Sequence, residues 1–204
     1  MYIPKHYKEN DIQEIKSFML EHQFVTIITN DGDKPIATHV PINIHEKNGE
    51  IYVTGHLAKN NDQWRLLNKA SNVLIIFQGP HAYISSTWYE KEDVPTWNYQ
   101  SVHVYGDSRL LSESELIEDL TYLLNKYEGH RENGATWDNM SENTRKQING
   151  IIGFEIEVKE IQAAYKLSQT RTEQDKNNII SKLKESGDHI RYCNSKDNES
   201  RITV

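Results

Sequence analysis

The segment TGHLAKNN, residues 54–61, holds the most chemistry for its length. A strand ends there and a helix begins, so unpaired backbone N–H groups at the junction form a site for an anion. Lys59 adds a positive charge, and Asn60 or Asn61 offers a side-chain oxygen to cap the helix start. Strand alternation puts Thr54 and His56 on one face with Tyr52. An ordinary capped turn carrying a surface lysine needs the same residues, and spacing alone leaves both readings open. A second stretch, residues 77–106, is crowded with Phe77, Tyr83, Trp88, Tyr89, Trp97, Tyr99 and Tyr105, with His81 and His103 between them. Aromatic surface of that density packs a core hairpin or walls a flat ligand.

Other chemistries find little support. His39, His56, His81 and His103 come from separate strands, with no HxH or HxxxH spacing and no clustered carboxylates, so no metal site is expected. There is no Gly-x-Ser-x-Gly elbow, no phosphate-binding Walker loop and no dinucleotide fingerprint. No residue reads as a nucleophile with its base, so no catalytic residue is assigned. The formal charge of -7 argues against a broad grip on nucleic acid, which needs a basic face. One cysteine, Cys193, makes neither an internal disulfide nor a thiolate metal site and suits a reducing cytoplasm. The N-terminus lacks a signal-peptide core, and no apolar run approaches the roughly 18 residues of a membrane span.

The elements that must position these residues are legible from period and punctuation. Asp11 and Glu14 open a helix with Ile12, Ile15, Phe18 and Met19 on its apolar face. Strands follow at 24–29, 36–44 and 51–57. The first turn is Asn30-Asp31-Gly32-Asp33, and Asn48-Gly49 makes a hairpin between the second and third strands. Pro41 marks an edge or a bulge. A helix is expected over about 61–70, then a strand over 73–77 continuing through a Gly79-Pro80 kink to 85. Residues 90–95 form an acidic loop, and 97–111 a long strand with Gly106 as a bulge. Ser112 and Glu115 cap a helix to Glu128 that turns Leu116, Ile117, Leu120, Leu123, Leu124 and Tyr127 inward and stops at Gly129. A short helix over 141–149, a strand over 151–159 and a last helix from a Thr170/Glu173 cap to Gly187 complete the chain. Residues 194–204 read as a loose polar tail. Several short strands with tight turns and few crossovers give an α+β, mainly β fold: a small antiparallel barrel with peripheral helices.

Four segments together, MYIP at the start, HLAKNN at 56–61, the 77–106 stretch with FQGPHAYIS and VPTWNY, and KLSQTR at 166–171, resemble the PaiB-type family of FMN-binding negative transcriptional regulators. The resemblance spans nearly the whole chain. Ser86 stands where the family has proline in Ser-Pro-x-Trp-Tyr, and Thr170 where it has asparagine after Lys-Leu-Ser-Gln. The family implies a split β-barrel of the flavin reductase and pyridoxamine-phosphate-oxidase kind over 1–160, with residues 161–204 as a C-terminal helical segment and tail. It implies a homodimer with FMN between protomers, and repression of sporulation and protease genes. On this resemblance the cofactor-binding residues are Thr54, His56, Lys59 and Asn60 toward the phosphate, Thr38 and His39 toward the ribityl chain or ring, and Trp97 across the dimer interface. The competing readings are a flavin-dependent oxidoreductase acting on transcription indirectly, and a cofactor-free dimer serving as an interaction module. The last helix carries Lys176, Lys182 and Lys184 but also Glu173, Asp175 and Glu185, so direct contact with DNA is possible yet unsupported by charge.

Overall fold

Asn48 and Gly49 both adopt positive φ, 54° and 84°, the conformation a two-residue hairpin turn requires. In the computed structural model, which describes residues 1–68, 70–186, 191–193 and 201–203, this turn joins β3 to β4. The chain runs β1 (Lys8–Glu9), α1 (Ile12–Glu21), β2 (Phe24–Asn30), β3 (Pro35–Lys47), β4 (Glu50–Ala58), α2 (Gln63–Leu66) and β5 (Val73–Ile84). It continues through β6 (Thr96–Leu110), α3 (Glu113–Glu128), α4 (Glu142–Arg145), β7 (Ile151–Lys166), α5 (Glu173–Ser186), β8 (Arg191–Cys193) and β9 (Arg201–Thr203). Seven strands form one sheet in the order β1-β7-β4-β3-β2-β5-β6, and β6 also pairs with β7, so the run from β7 to β6 closes on itself. This is the mainly antiparallel split barrel that the sequence predicts. Among the described residues no helix is long and apolar enough to cross a membrane.

Two units divide the chain. The larger holds Leu20–Phe77 and His103–Ile161. Its register pairs Val25 with Val40, Ile42 with Gly55, Val53 with Ile156 and Thr26 with Ile76. Alternate residues Val25, Ile27, Val40, Ile42, Val53, Leu57, Ile75, Phe77, Phe154 and Ile156 fill the core. Pro41 ends a stretch of β3 that is paired on one side only, a local edge. β3 pairs with β2 as far as Pro41 and with β4 from Ile42 onward, so the proline's missing N–H falls where β3 changes partners. β6 is continuous through Gly106. A Cβ there would meet the Glu157 carbonyl oxygen at 2.2 Å, so the glycine serves a close approach of the β7 backbone.

α2 is four residues long, not the ten expected. Gln63 explains the shortening. Its side chain turns inward, donating to the carbonyls of Ile27 and Ile36 and to Thr29 Oγ1, and accepting from the Thr38 hydroxyl. The following carbonyls of Leu67 and Ala70 then accept from Ser108. In α3 the Ser112/Glu115 capping box is present, but the inward face is mixed: Leu116 and Asp119 are buried, whereas Tyr122 and Tyr127 are exposed.

The smaller unit holds Met1–Met19, Gln78–Val102 and Gln162–Val204. Asp11 caps α1 through the N–H groups of Gln13 and Glu14, and Ile15, Phe18 and Met19 are buried while Ile12 is exposed. β7 runs on to Lys166 because Ala163 and Ala164, both buried, pair with β1. Gly79 lies in continuous strand, where a Cβ would strike the Phe18 ring at 2.7 Å. Thr172, not Thr170, caps α5, accepting from the Asp175 N–H. The acidic 90–95 loop is tied down: Arg171 pairs with Asp93, lies 4.0 Å from the Tyr89 ring centre, and Asp175 accepts from the Glu90 N–H. Asn98, fully buried, exchanges hydrogen bonds with Ser168. The expected stop at Gly187 and most of the expected tail lie outside the described residues.

Replacing Gly106 by alanine forces the β7 backbone away and should cost about 1–3 kcal/mol. Thermal unfolding should register this as a loss of about 2–4 °C per kcal/mol; an unshifted midpoint would refute the close-approach account.

Candidate functional site

The β3–β4 hairpin presents alternate side chains to the outside of the barrel: Asn43 and His45 from β3, Thr54 and His56 from β4. α3 covers them with Asp119, whose side chain is only 4% exposed. A carboxylate so buried needs donors, and the hairpin supplies them. Asn43 Nδ2 donates to Asp119 Oδ1 at 2.8 Å and to the Asp119 carbonyl at 3.2 Å. The Thr54 hydroxyl donates to the same Oδ1. His45 Nε2 lies 3.6 Å from Oδ1 and 3.1 Å from Thr54 Oγ1. Burial pushes the Asp119 carboxyl up, but hydrogen bonds from His45, Asn43 and Thr54 outweigh it and hold the group below its ordinary range, so it is ionised. Asp119 Oδ2 and His56 Nδ1 are buried without a hydrogen-bond partner among the described residues. Burial lowers His56, with the Asp119 charge opposing, and burial also lowers His103.

A cleft of about 590 Å³ opens beside this network, bounded by His45, Lys47, Thr54, Glu118, Asp119 and Tyr122. Tyr122 leans on His45 with ring centres 5.4 Å apart. On the cleft wall Arg109 bridges Glu115 and Glu155 at 2.8 and 2.7 Å. Glu115 is held down to about 2, chiefly by Arg109 and then by Ser112.

The turn after β4 is a separate feature of the same unit. Asn61 Nδ2 donates to Thr38 Oγ1 at 2.9 Å, drawing the Lys59-Asn60-Asn61 turn against β3. Lys59 and Asn60 are exposed. The Lys59 ammonium makes no ion pair among the described residues, while its backbone N–H is spent on the Gly150 carbonyl. With α2 only four residues long, the helix contributes no aligned dipole, and side chains must do any anion binding here. The sequence thus locates the turn correctly but attributes its polarity to a helix start that is too short.

His39 follows Thr38 and so points to the opposite face of β3. It is exposed, meets Thr26 Oγ1 through Nδ1 at 2.9 Å and stacks on Phe24 at 6.4 Å. Trp97, 53% exposed, belongs to the smaller unit, where it packs against His81 and Tyr83 at 5.9 and 5.7 Å. Of the seven sequence-predicted residues, then, Lys59 and Asn60 lie in one turn that Asn61 ties to Thr38 of β3, Thr54 bonds Asp119 with His56 on the same strand face, and His39 and Trp97 stand on other surfaces. Asp119 and His45 escaped sequence reasoning. Their signal was faint: Asp119 falls one turn from both Leu116 and Leu123 on the apolar stripe of α3.

The donor set decides which part suits a flavin nucleotide. A phosphate monoester is anionic, and the exposed ammonium of Lys59 with the Asn60 amide fits it. The Asp119 cleft, with Glu118 and an ionised Asp119, repels it.

Residues 1–160 match the family model described as "Putative FMN-binding domain". The chain is 50% identical, over 90% of its length and 89% of the relative's, to a Bacillus subtilis protein named "Protease synthase and sporulation protein PAI 2". Among solved structures it is similar to the flavocytochrome Anf3 of Azotobacter vinelandii, with TM-score 0.64, 12% identity and coverage of 100% and 89% of the two chains. It is also similar to a FAD- and heme-binding protein of Mycobacterium smegmatis, with TM-score 0.61, 9% identity and coverage of 95% and 90%. At such identities the likeness is one of fold.

His56 and His103 both titrate below an ordinary histidine in the folded state, so the unfolded chain binds more protons as pH falls through about 6.5. Their burial as neutral rings stabilises the protein fully above that value, and the contribution is lost as pH drops toward the folded-state values. The melting temperature should fall between about pH 7.5 and 5.5, and His56→Gln should flatten the slope. A melting temperature constant across that interval in the wild type would show that neither ring is held neutral.

Proposed function

The chain belongs to the PaiB-type family of FMN-binding domains, and we propose on that premise that it is a negative regulator of sporulation and degradative-enzyme (protease) genes, built on an FMN-binding split barrel. What carries this reading is kinship with the Bacillus subtilis protein whose name joins protease synthesis to sporulation. FMN is a possible cofactor of the fold, and when bound it supplies a flat redox-active ring on an anionic phosphate. Lys59 and Asn60 bind the phosphate. Thr38 and Asn61 hold their turn in place. His39, backed by Phe24 and Thr26, offers a polar and aromatic surface on the adjoining face. Thr54 and His56 act through the hairpin that carries the turn, and Trp97 supplies stacking surface.

A homodimer is part of this reading. The outer face of β2, β3 and β5 lines up Phe24, Ile28, Ala37, Pro41, Leu74 and Ile76 in register, and Phe24 is 68% exposed. A largely apolar face of this kind, crossed only by the Thr26–His39 pair, is suited to a second copy of the chain. The setting is cytoplasmic.

Charge favours a second reading of how transcription is lowered. On α5, Lys176 and Lys182 are paired with Glu173 and Glu185, which leaves little cationic surface for phosphate contacts. A flavin-dependent oxidoreductase with an indirect effect on transcription fits that surface.

Titration with FMN should give saturable binding with a flavin absorbance band. Lys59→Ala should weaken it by about 10- to 150-fold, the value of one charge-assisted contact; equal affinity would remove Lys59 from the phosphate site. A gel shift with a protease-gene promoter at moderate salt separates the two modes: retardation supports direct repression, and its absence together with FMN-dependent NADH oxidation supports the enzyme.

A further inference from the structure

The cleft around His45 and Asp119 shares only Thr54 with the flavin reading, and its chemistry is the opposite of a phosphate site. We propose that it is a binding site for a small organic cation: an ammonium or guanidinium head carried on an apolar body.

The floor of the cleft is a carboxylate that the protein leaves partly unmatched. Asp119 Oδ1 is saturated by Asn43 and Thr54, with His45 close by. Among the described residues Oδ2 takes no donor, although the side chain is 4% exposed and lines the cleft. An ionised carboxylate oxygen without a donor is costly to bury, and a cationic N–H donor brought by a ligand removes that cost.

The walls sharpen the demand. Glu115 and Glu155 share the single positive charge of Arg109, which offsets one of the two. Beyond these stand Glu118 and Asp119 against Lys47, and Lys47 lies over the Tyr52 ring at 5.8 Å. Four carboxylates, Glu115, Glu118, Asp119 and Glu155, against the two cations Lys47 and Arg109 therefore leave the cleft net negative. Tyr122, 49% exposed, completes the binding surface. Its ring face attracts a cation, and together with Leu111 it contacts an apolar body. Among the described residues no three His, Cys, Asp or Glu side chains converge as metal ligands, so the charge is suited to a head that carries its own N–H donors. The volume of about 590 Å³ lies within the range of small-molecule sites.

The test uses the full chain, with benzylamine as the cationic probe and benzyl alcohol as its neutral counterpart, by titration calorimetry near neutral pH. Benzylamine should bind at one saturable site and benzyl alcohol should not. Asp119→Asn keeps the shape and removes the charge, and should weaken binding about tenfold or more. Tyr122→Leu alters a half-exposed ring outside the core, and should weaken binding about threefold or more. If Asp119→Asn fails to fold, as judged by its melting curve, Tyr122→Leu and the neutral probe decide. No saturable binding of benzylamine by the wild type overturns the proposal. So does equal binding of the two probes, or an affinity unchanged in Tyr122→Leu.

Discussion

Asp119 carries a charge into a place that water barely reaches, and the hairpin opposite has to answer it. Burying an ion without donors costs several kcal/mol or neutralises the group. Asn43, Thr54 and His45 answer it together, because a two-residue turn at Asn48-Gly49 sets β3 and β4 in the register that aligns Asn43 with Thr54 and brings His45 within reach. The carboxylate thus fixes where α3 lies on the sheet, and the register fixes which polar atoms α3 meets. A slip of one residue would turn Asn43, His45, Thr54 and His56 into the core and expose Ile42 and Val53.

The barrel beneath depends on backbones coming close. Gly55 lies against the Phe154 ring and Gly106 against the Glu157 carbonyl, so each leaves room that any side chain would fill. β3 serves two partners in turn, and Pro41 stands at the exchange, where an absent N–H leaves no ladder bond unmade. Gln63 finishes this part of the core from outside the sheet, donating to carbonyls of β2 and β3.

Within this unit opposite charges are kept apart. Lys59 and Asn60 project from a turn that Asn61 and Thr38 tie down, giving a place for an anion. The Asp119 cleft gathers carboxylates, and Arg109, bridging two of them, offsets only one of their charges. Electrostatics therefore sorts ligands by sign before shape is considered. A flavin phosphate and an organic cation would bind to different surfaces of one unit.

Local chemistry was readable from the chain. The Asn48-Gly49 turn, the Ser112/Glu115 capping box, the Asp11 cap and the alternating strands each rest on residues within a few positions of one another, where backbone sterics and short hydrogen bonds decide. The same reasoning located the Lys59 turn and a small antiparallel barrel, which the family resemblance specified as a split barrel. It did not see α2 shortened to four residues, because Gln63 is drawn in by carbonyls 27 and 36 residues away. Nor did it see β7 extended to Lys166, which follows from pairing with Lys8 and Glu9 at the far end of the chain. Asp119 reads in sequence as one acid on a charged helix. Only the tertiary structure turns it inward, because its donors lie 65 and 76 residues away, and a buried charge is tolerable only where the fold has first assembled what pairs with it.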